Sequence, residues 1–187
     1  FNPELIGRTE AEKLSFTSQS GKTAIYELIN ATQYQISMQE AVYLQPFAKT
    51  KAEKVGELSL KQLLKLYFDE ICAVKGPFAL QDFNKIGTDK FNLSFKYNNE
   101  EFDIIEKGSG PLDACINALK KAGFALELER YEQHAVDDLE SGKEKAKAMS
   151  VLQFNHKGST IIARAIDTST AQANVKAVFN AINLMKK

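Results

Sequence analysis

Residues 91–121, "FNLSFKYNNEEFDIIEKGSGPLDACINALKK", decide the fold class. Phe91, Leu93, Phe95 and Tyr97 take every second place, with polar residues between them. A period of two puts those side chains on one face of a β-strand. Asn98-Asn99 suits the tight turn of a hairpin, and a second strand returns through Phe102 and Ile104 to Lys107. Gly108-Ser109-Gly110-Pro111 then breaks the strand. Leu112, Cys115, Ile116 and Leu119 follow at helical spacing. Pro111 fits the first helical turn, where its missing N–H costs nothing. The order is strand, hairpin, strand, turn, helix.

Outward from this stretch, a strand leading into Phe83 completes a βββα unit over about 77–122. A second unit occupies about 123–187. Its strands run through Phe124, Leu126 and Leu128, then 151–154, then 160–166, with a turn at His156-Lys157-Gly158. Its helix, from about Ser169 to Met185, carries Ala171, Val175, Val178 and Ile182 on one face. Segment 137–147 is a solvated loop by its charge. The turns "GSGPLDA" (108–114) and "IDTSTAQA" (166–173) correspond in position, so the chain contains an internal duplication. Duplicated units tend to pack by pseudo-twofold symmetry, with both helices on one side of the sheets.

The part before residue 76 reads as helical. Ser20 is the expected cap of a helix carrying Ala24, Ile25, Leu28 and Ile29. Ser37 with Glu40, and Ser59 with Gln62, have the spacing of capping boxes. Pro46 is expected to end or kink the helix that Ser37 starts. Leu60, Leu63, Leu64, Tyr67 and Ile71 share a face of the next one. Lys75-Gly76-Pro77 breaks the pattern. The fold class is α+β, a helical N-terminal subdomain followed by a duplicated βββα domain.

Composition excludes several functions. The chain has 187 residues, 44% hydrophobic and 26% charged, with zero formal net charge. That suits a folded domain with its own core, and gives no basic field to recruit nucleic acid or an anionic membrane. No apolar run could span a bilayer, and no secretion leader opens the chain. No nucleic-acid partner, no membrane and a cytoplasmic location are the expectations. The chain begins at Phe1 rather than Met, which leaves room for an upstream domain.

Cys72 and Cys115 sit in apolar helical patterns and read as buried thiols. They and the two histidines match no zinc spacing. "SGKT" at 20–23 is no phosphate loop, because Phe16 stands where the motif needs glycine. The residues alone leave "GSGP" open between two readings. Free amides at a helix start suit an anion. A tight strand-to-helix turn also uses glycine for its own geometry. His134 is either structural or part of a site, and His156 is a solvated turn residue.

Several stretches in order resemble the C-terminal part of 2-isopropylmalate synthases. They are "FNPELIGR" with "SQSGK", "GELSLKQLLKLYFDE", "GSGPLDACINAL", "GFALELERYEQHA" and "ARAIDTSTAQANVKAVFNAIN". The resemblance covers essentially the whole chain and is closest to the longer, "SQSGK"-linker form. It implies a partial linker at 1–19, a helical linker subdomain at 20–75 and a regulatory (LeuA allosteric/dimerisation) domain at 76–187. In that family the domain is a duplicated βββα unit that forms a homodimer and binds L-leucine near the dimer interface.

The complete family enzymes condense acetyl-CoA with 2-oxoisovalerate on a barrel bearing a divalent metal. The resemblance does not extend to that barrel. This chain is therefore expected to have no catalytic residues, no metal site and no cofactor of its own, and to mediate feedback inhibition. The residue-by-residue match implies an effector pocket of Ser109, Gly110, Pro111, Leu112, Tyr131, His134, Ala135 and Ile166. Ser109 replaces the Asn of the family's frequent Gly-Asn-Gly-Pro turn. Three alternatives stand beside this reading. One is an isoleucine-sensing domain of a citramalate synthase, and another a dimerisation module without effector. The third is a small enzyme using His134 and Tyr131.

Overall fold

The structure is a computed structural model that describes residues 15–137 and 146–187. The "FNPELIGR" stretch and most of the charged 137–147 segment lie outside the described residues. The chain divides into two compact units between Glu70 and Ile71.

The first unit pairs a short strand β1 (Phe16–Thr17) with β2 (Glu57–Leu58), antiparallel, and surrounds them with helices. These are α1 (Lys22–Asn30), α2 (Met38–Val55) and α3 (Leu60–Leu66), the last running into a π-helical turn, Tyr67–Ile71. Both capping boxes form: Glu40 N–H donates to Ser37 Oγ at 3.1 Å, and Gln62 N–H to Ser59 Oγ at 3.2 Å. One expectation needs correction. Gly21, not Ser20, caps α1, because Ser20 Oγ instead accepts from Thr17 N–H at 3.0 Å. Of the two outcomes expected of Pro46, ending the helix does not occur, since α2 runs on to Val55. Phe16, Ile25, Leu44, Leu58, Leu63 and Tyr67 are fully buried and form this unit's core.

The second unit is the duplication. Strands β3 (Phe78–Lys85), β4 (Lys90–Tyr97) and β5 (Glu100–Lys107) form one antiparallel sheet, followed by α4 (Pro111–Lys121). Strands β6 (Glu127–Asp137), β7 (Ala146–His156) and β8 (Ser159–Asp167) form the other, followed by α5 (Thr170–Met185). The correspondence extends to irregularities. The first strand of each copy has a register shift, between Leu80 and Asp82 and between Leu128 and Arg130. Both second hairpins turn on two residues with positive φ: Asn98 (49°) and Asn99 (69°), then Lys157 (52°) and Gly158 (80°). Those are the dihedral signs of the turn that matches strand twist.

One core joins the two copies. Phe83, Phe91, Leu93 and Phe95 meet Leu152, Phe154, Cys115, Leu119, Val178 and Phe179 in a single cluster. Phe179 packs edge-on against Phe95 at 5.6 Å between ring centres. The sequence assigned α5 one apolar face, yet from Ala173 to Asn183 only Lys176 escapes burial, and Ala171 is half-buried. Two of its three buried asparagines, Asn180 and Asn183, are spent on backbone. Asn180 Nδ2 donates to Cys72 O at 2.9 Å and Arg164 O at 2.7 Å, while its Oδ1 accepts from Val74 N–H at 2.9 Å. Asn183 Oδ1 accepts from Phe78 N–H at 2.9 Å, and its Nδ2 donates to Phe78 O at 3.0 Å. These bonds satisfy buried backbone groups that would each cost about 1–3 kcal/mol if left unpaired.

Cys115 is buried, as expected, and burial pushes its thiol well above the ordinary cysteine value. Cys72 is only half-buried and lies past the π turn, outside any helix. No helix among the described residues is long and apolar enough to cross a membrane.

Candidate functional site

The turn from β5 into α4 organises the surface of the second unit. Gly108 and Gly110 are there for different reasons. A Cβ on Gly108 would stand 2.4 Å from the backbone nitrogen of Ala114, so glycine is required by the close approach of the helix. Gly110 caps α4 with φ −168°, extended backbone that any residue adopts, and a Cβ there would meet nothing within 4 Å. The fold uses the first glycine and makes no demand for the second.

The chain around Gly110 is polar and ordered. Ser109 N–H donates to Asp113 Oδ2 at 2.9 Å, and Ser109 Oγ stands 3.3 Å from the same oxygen. Ala114 N–H donates to Gly110 O at 3.0 Å and closes the first helical turn. The amides of Leu112 and Asp113 have no intrahelical acceptor, as at any helix start. They and the helix dipole leave partial positive charge at this point.

Two clefts flank the turn. One, of about 500 Å³, lies against Phe83, Lys85, Phe91 and Gln172. The other, of about 420 Å³, has an apolar wall of Leu112, Ile116, Leu128 and Tyr131. Its polar end is Ser109, Asp113 and Asn174. This second cleft offers a carboxylate (Asp113), N–H donors and an apolar wall, the three features a zwitterion with an aliphatic side chain requires. A charged ammonium and carboxylate leave water only where such partners meet them.

The structure brings part of the expected pocket together. Ser109, Gly110, Pro111, Leu112 and Tyr131 all line the 420 Å³ cleft. His134, Ala135 and Ile166 do not. Register explains the division. Tyr131 opposes Leu152 and Ala135 opposes Ala148, so both point to the helix-covered face, with Ala135 four residues along the strand. His134 opposes Met149, and Met149 opposes Ile166, on the other face of the sheet. A one-residue step in a strand reverses the face. His134 Nε2 lies 3.4 Å from Glu132 Oε2 there. Tyr131 and His134 therefore do not share a site within one chain. Among the described residues, no group of three His, Cys, Asp or Glu could hold a metal ion.

Sequence reasoning missed Asn174. It is 7% exposed and accepts a 2.7 Å hydrogen bond from the buried Ser150 Oγ. An Asn one turn into an apolar helix, opposite a Ser in an apolar strand, was the available signal.

At the matching start of α5, Asp167 Oδ1 accepts from Ser169 N–H at 3.0 Å, and its other oxygen pairs with Lys176. Partial burial works to raise the Asp167 pKa. The Lys176 ammonium and the bonds from Ser169 and Thr168 outweigh it and hold the carboxyl below its ordinary value.

Comparison with known proteins agrees with this architecture. Residues 57–186 match the family described as the LeuA allosteric (dimerisation) domain. The chain is 28% identical over 195 residues to a 2-isopropylmalate synthase of Mycobacterium ulcerans, an alignment covering 97% of this chain and 33% of that protein. It is 24% identical over 199 residues to one from Kocuria rhizophila, with 97% and 33% covered. A 65-residue segment is 40% identical to 2-isopropylmalate synthase 2 of Leptospira interrogans, covering 34% of this chain and 15% of that one. The chain spans about a third of the length of the curated relatives that it matches end to end.

Proposed function

Because the chain belongs to the LeuA allosteric (dimerisation) domain family, we propose that it is the regulatory region of a 2-isopropylmalate synthase. In this reading it senses L-leucine, dimerises through the second unit and imposes end-product feedback inhibition. The parent condenses acetyl-CoA with 2-oxoisovalerate on a metal-bearing barrel in the cytoplasm, and this chain supplies no catalytic group. The observation that carries the reading is the 420 Å³ cleft, where an apolar wall ends in Ser109, Asp113 and Asn174. Leucine's side chain would lie on Leu112, Ile116, Leu128 and Tyr131. Its ammonium would approach Asp113, and its carboxylate the donors around Gly110. His134, Ala135 and Ile166 contribute only if a second copy presents them.

Effector and substrate would couple through the dimer, with the 20–75 subdomain relaying the bias. Such couplings are typically about 1–3 kcal/mol and are reciprocal between ligands. Discrimination against valine and isoleucine is modest on this account, because a methylene or a branch shift is worth about 1–3 kcal/mol. Calorimetric titration of the chain with leucine, isoleucine and valine tests the reading. Saturable binding with leucine tightest supports it. Preference for isoleucine would move the parent to citramalate synthesis, and a folded dimer indifferent to all three would be a dimerisation module without effector.

A further inference from the structure

Asn174 sits at the polar end of the 420 Å³ cleft and is nine-tenths buried. Its carbonyl oxygen is occupied: Ser150, fully buried in β7, donates to it at 2.7 Å. Its Nδ2 has no hydrogen-bond partner among the described residues. The other two asparagines of α5 differ in this respect. Asn180 and Asn183 each use both ends of the amide on backbone groups of the second unit. With its oxygen held by Ser150, the donor end of this largely buried amide is left for whatever occupies the cleft that Asn174 lines.

We propose that Asn174 is a ligand-binding residue of the effector cleft, its Nδ2 donating to the carboxylate of the bound amino acid, with Ser150 holding the amide in that orientation. The inference rests on the amino-acid reading of the cleft and adds to it the group that recognises the acid. Two observations favour a carboxylate. The α4 start brings further N–H groups and the positive end of the helix dipole to the same cleft. The one acidic side chain lining the cleft, Asp113, is held by Ser109 N–H and lies on the α4 side, where it suits an ammonium. With its carboxylate between the Asn174 amide and the free amides of the α4 start, and its ammonium on Asp113, an α-amino acid would be oriented across the junction of the two copies.

The test compares leucine with leucinamide, which keeps the side chain and ammonium but lacks the carboxylate. Asn174→Asp keeps an acceptor for Ser150 and replaces the cleft-facing donor with a negative oxygen. Titrations of wild type and N174D are expected to show about tenfold or greater weakening for leucine. Leucinamide, whose own N–H can donate to the new carboxylate, should change by about twofold or less. Asn174→Ser, shorter and neutral, should narrow the leucine-to-leucinamide ratio and serves if N174D does not fold.

Equal weakening of both ligands would make Asn174 a purely structural residue and overturn the assignment. Unchanged leucine affinity in N174D would overturn it too, while leaving the amino-acid reading intact. Wild type that is folded yet binds neither ligand would overturn both.

Discussion

At the scale of single residues, the two glycines of one turn make opposite predictions. Gly108→Ala drives a methyl into the backbone of Ala114, which cannot yield as a flexible side chain would. It should cost about 1–3 kcal/mol of stability, toward the upper end, read from a urea midpoint. Gly110→Ala places its methyl in open space on permitted backbone. Its stability should match wild type, while leucine affinity falls because the methyl intrudes where the ligand approaches the helix start. A G110A variant that binds leucine normally would remove the turn from the site. The two Gly-X-Gly positions look equivalent in sequence, and only the path of α4 past Gly108 separates them. Asn174 was illegible for a related reason. Burial of every residue from Ala173 to Asn183 except Lys176 erases the polar stripe against which an isolated Asn would stand out.

At the scale of elements, legibility followed burial pattern. β4 reads plainly, because Phe91, Leu93 and Phe95 are buried and the residues between them are not. β6 reads poorly: the expected strand through Phe124, Leu126 and Leu128 lies too early, because the strand starts at Glu127 and runs on to Asp137. It is an edge strand whose Tyr131, Gln133 and Ala135 are exposed, while Glu132 and His134 between them are only half-buried and Val136 alone is buried, so "ERYEQHAVD" shows no apolar alternation. The register shift between Leu128 and Arg130 further breaks the count between the apolar start of the strand and Tyr131. Ends were legible where side chains cap them, as at Ser37, Ser59 and Ser169, and not at Gly21, whose cap uses no side chain.

The start of α5 carries a pH prediction. Asp167 is held below the ordinary carboxylate value in the folded chain, so its contribution is present above the unfolded value of about 4 and lost as pH falls through the folded one. Asp167→Asn should lower stability at pH 7 by no more than about 1 kcal/mol, since Lys176 is half-exposed. Urea midpoints from pH 7 to pH 3 should show the gap between variant and wild type closing below about pH 4. A gap of the same size at every pH would contradict the assignment.

At the scale of the whole molecule, duplication is what creates the cleft. A single βββα copy would supply either the α4 start or the β6 and α5 walls, never both. Leu112 and Asp113 come from the first copy, and Leu128, Tyr131 and Asn174 from the second. An effector seated there bridges the copies, and on the proposed reading ordering that junction is how binding would reach the dimer. The order βββα–βββα was readable from the sequence through its repeated turns. The junction was not, because it depends on how two sheets and two helices share one core. The most direct test is an amide nuclear magnetic resonance titration of the ¹⁵N-labelled chain with leucine. The account predicts saturable shifts concentrated at 109–113, 128–131 and 174. Saturable shifts confined to the first unit, or to His134, Met149 and Ile166 on the far face of the second sheet, would contradict it.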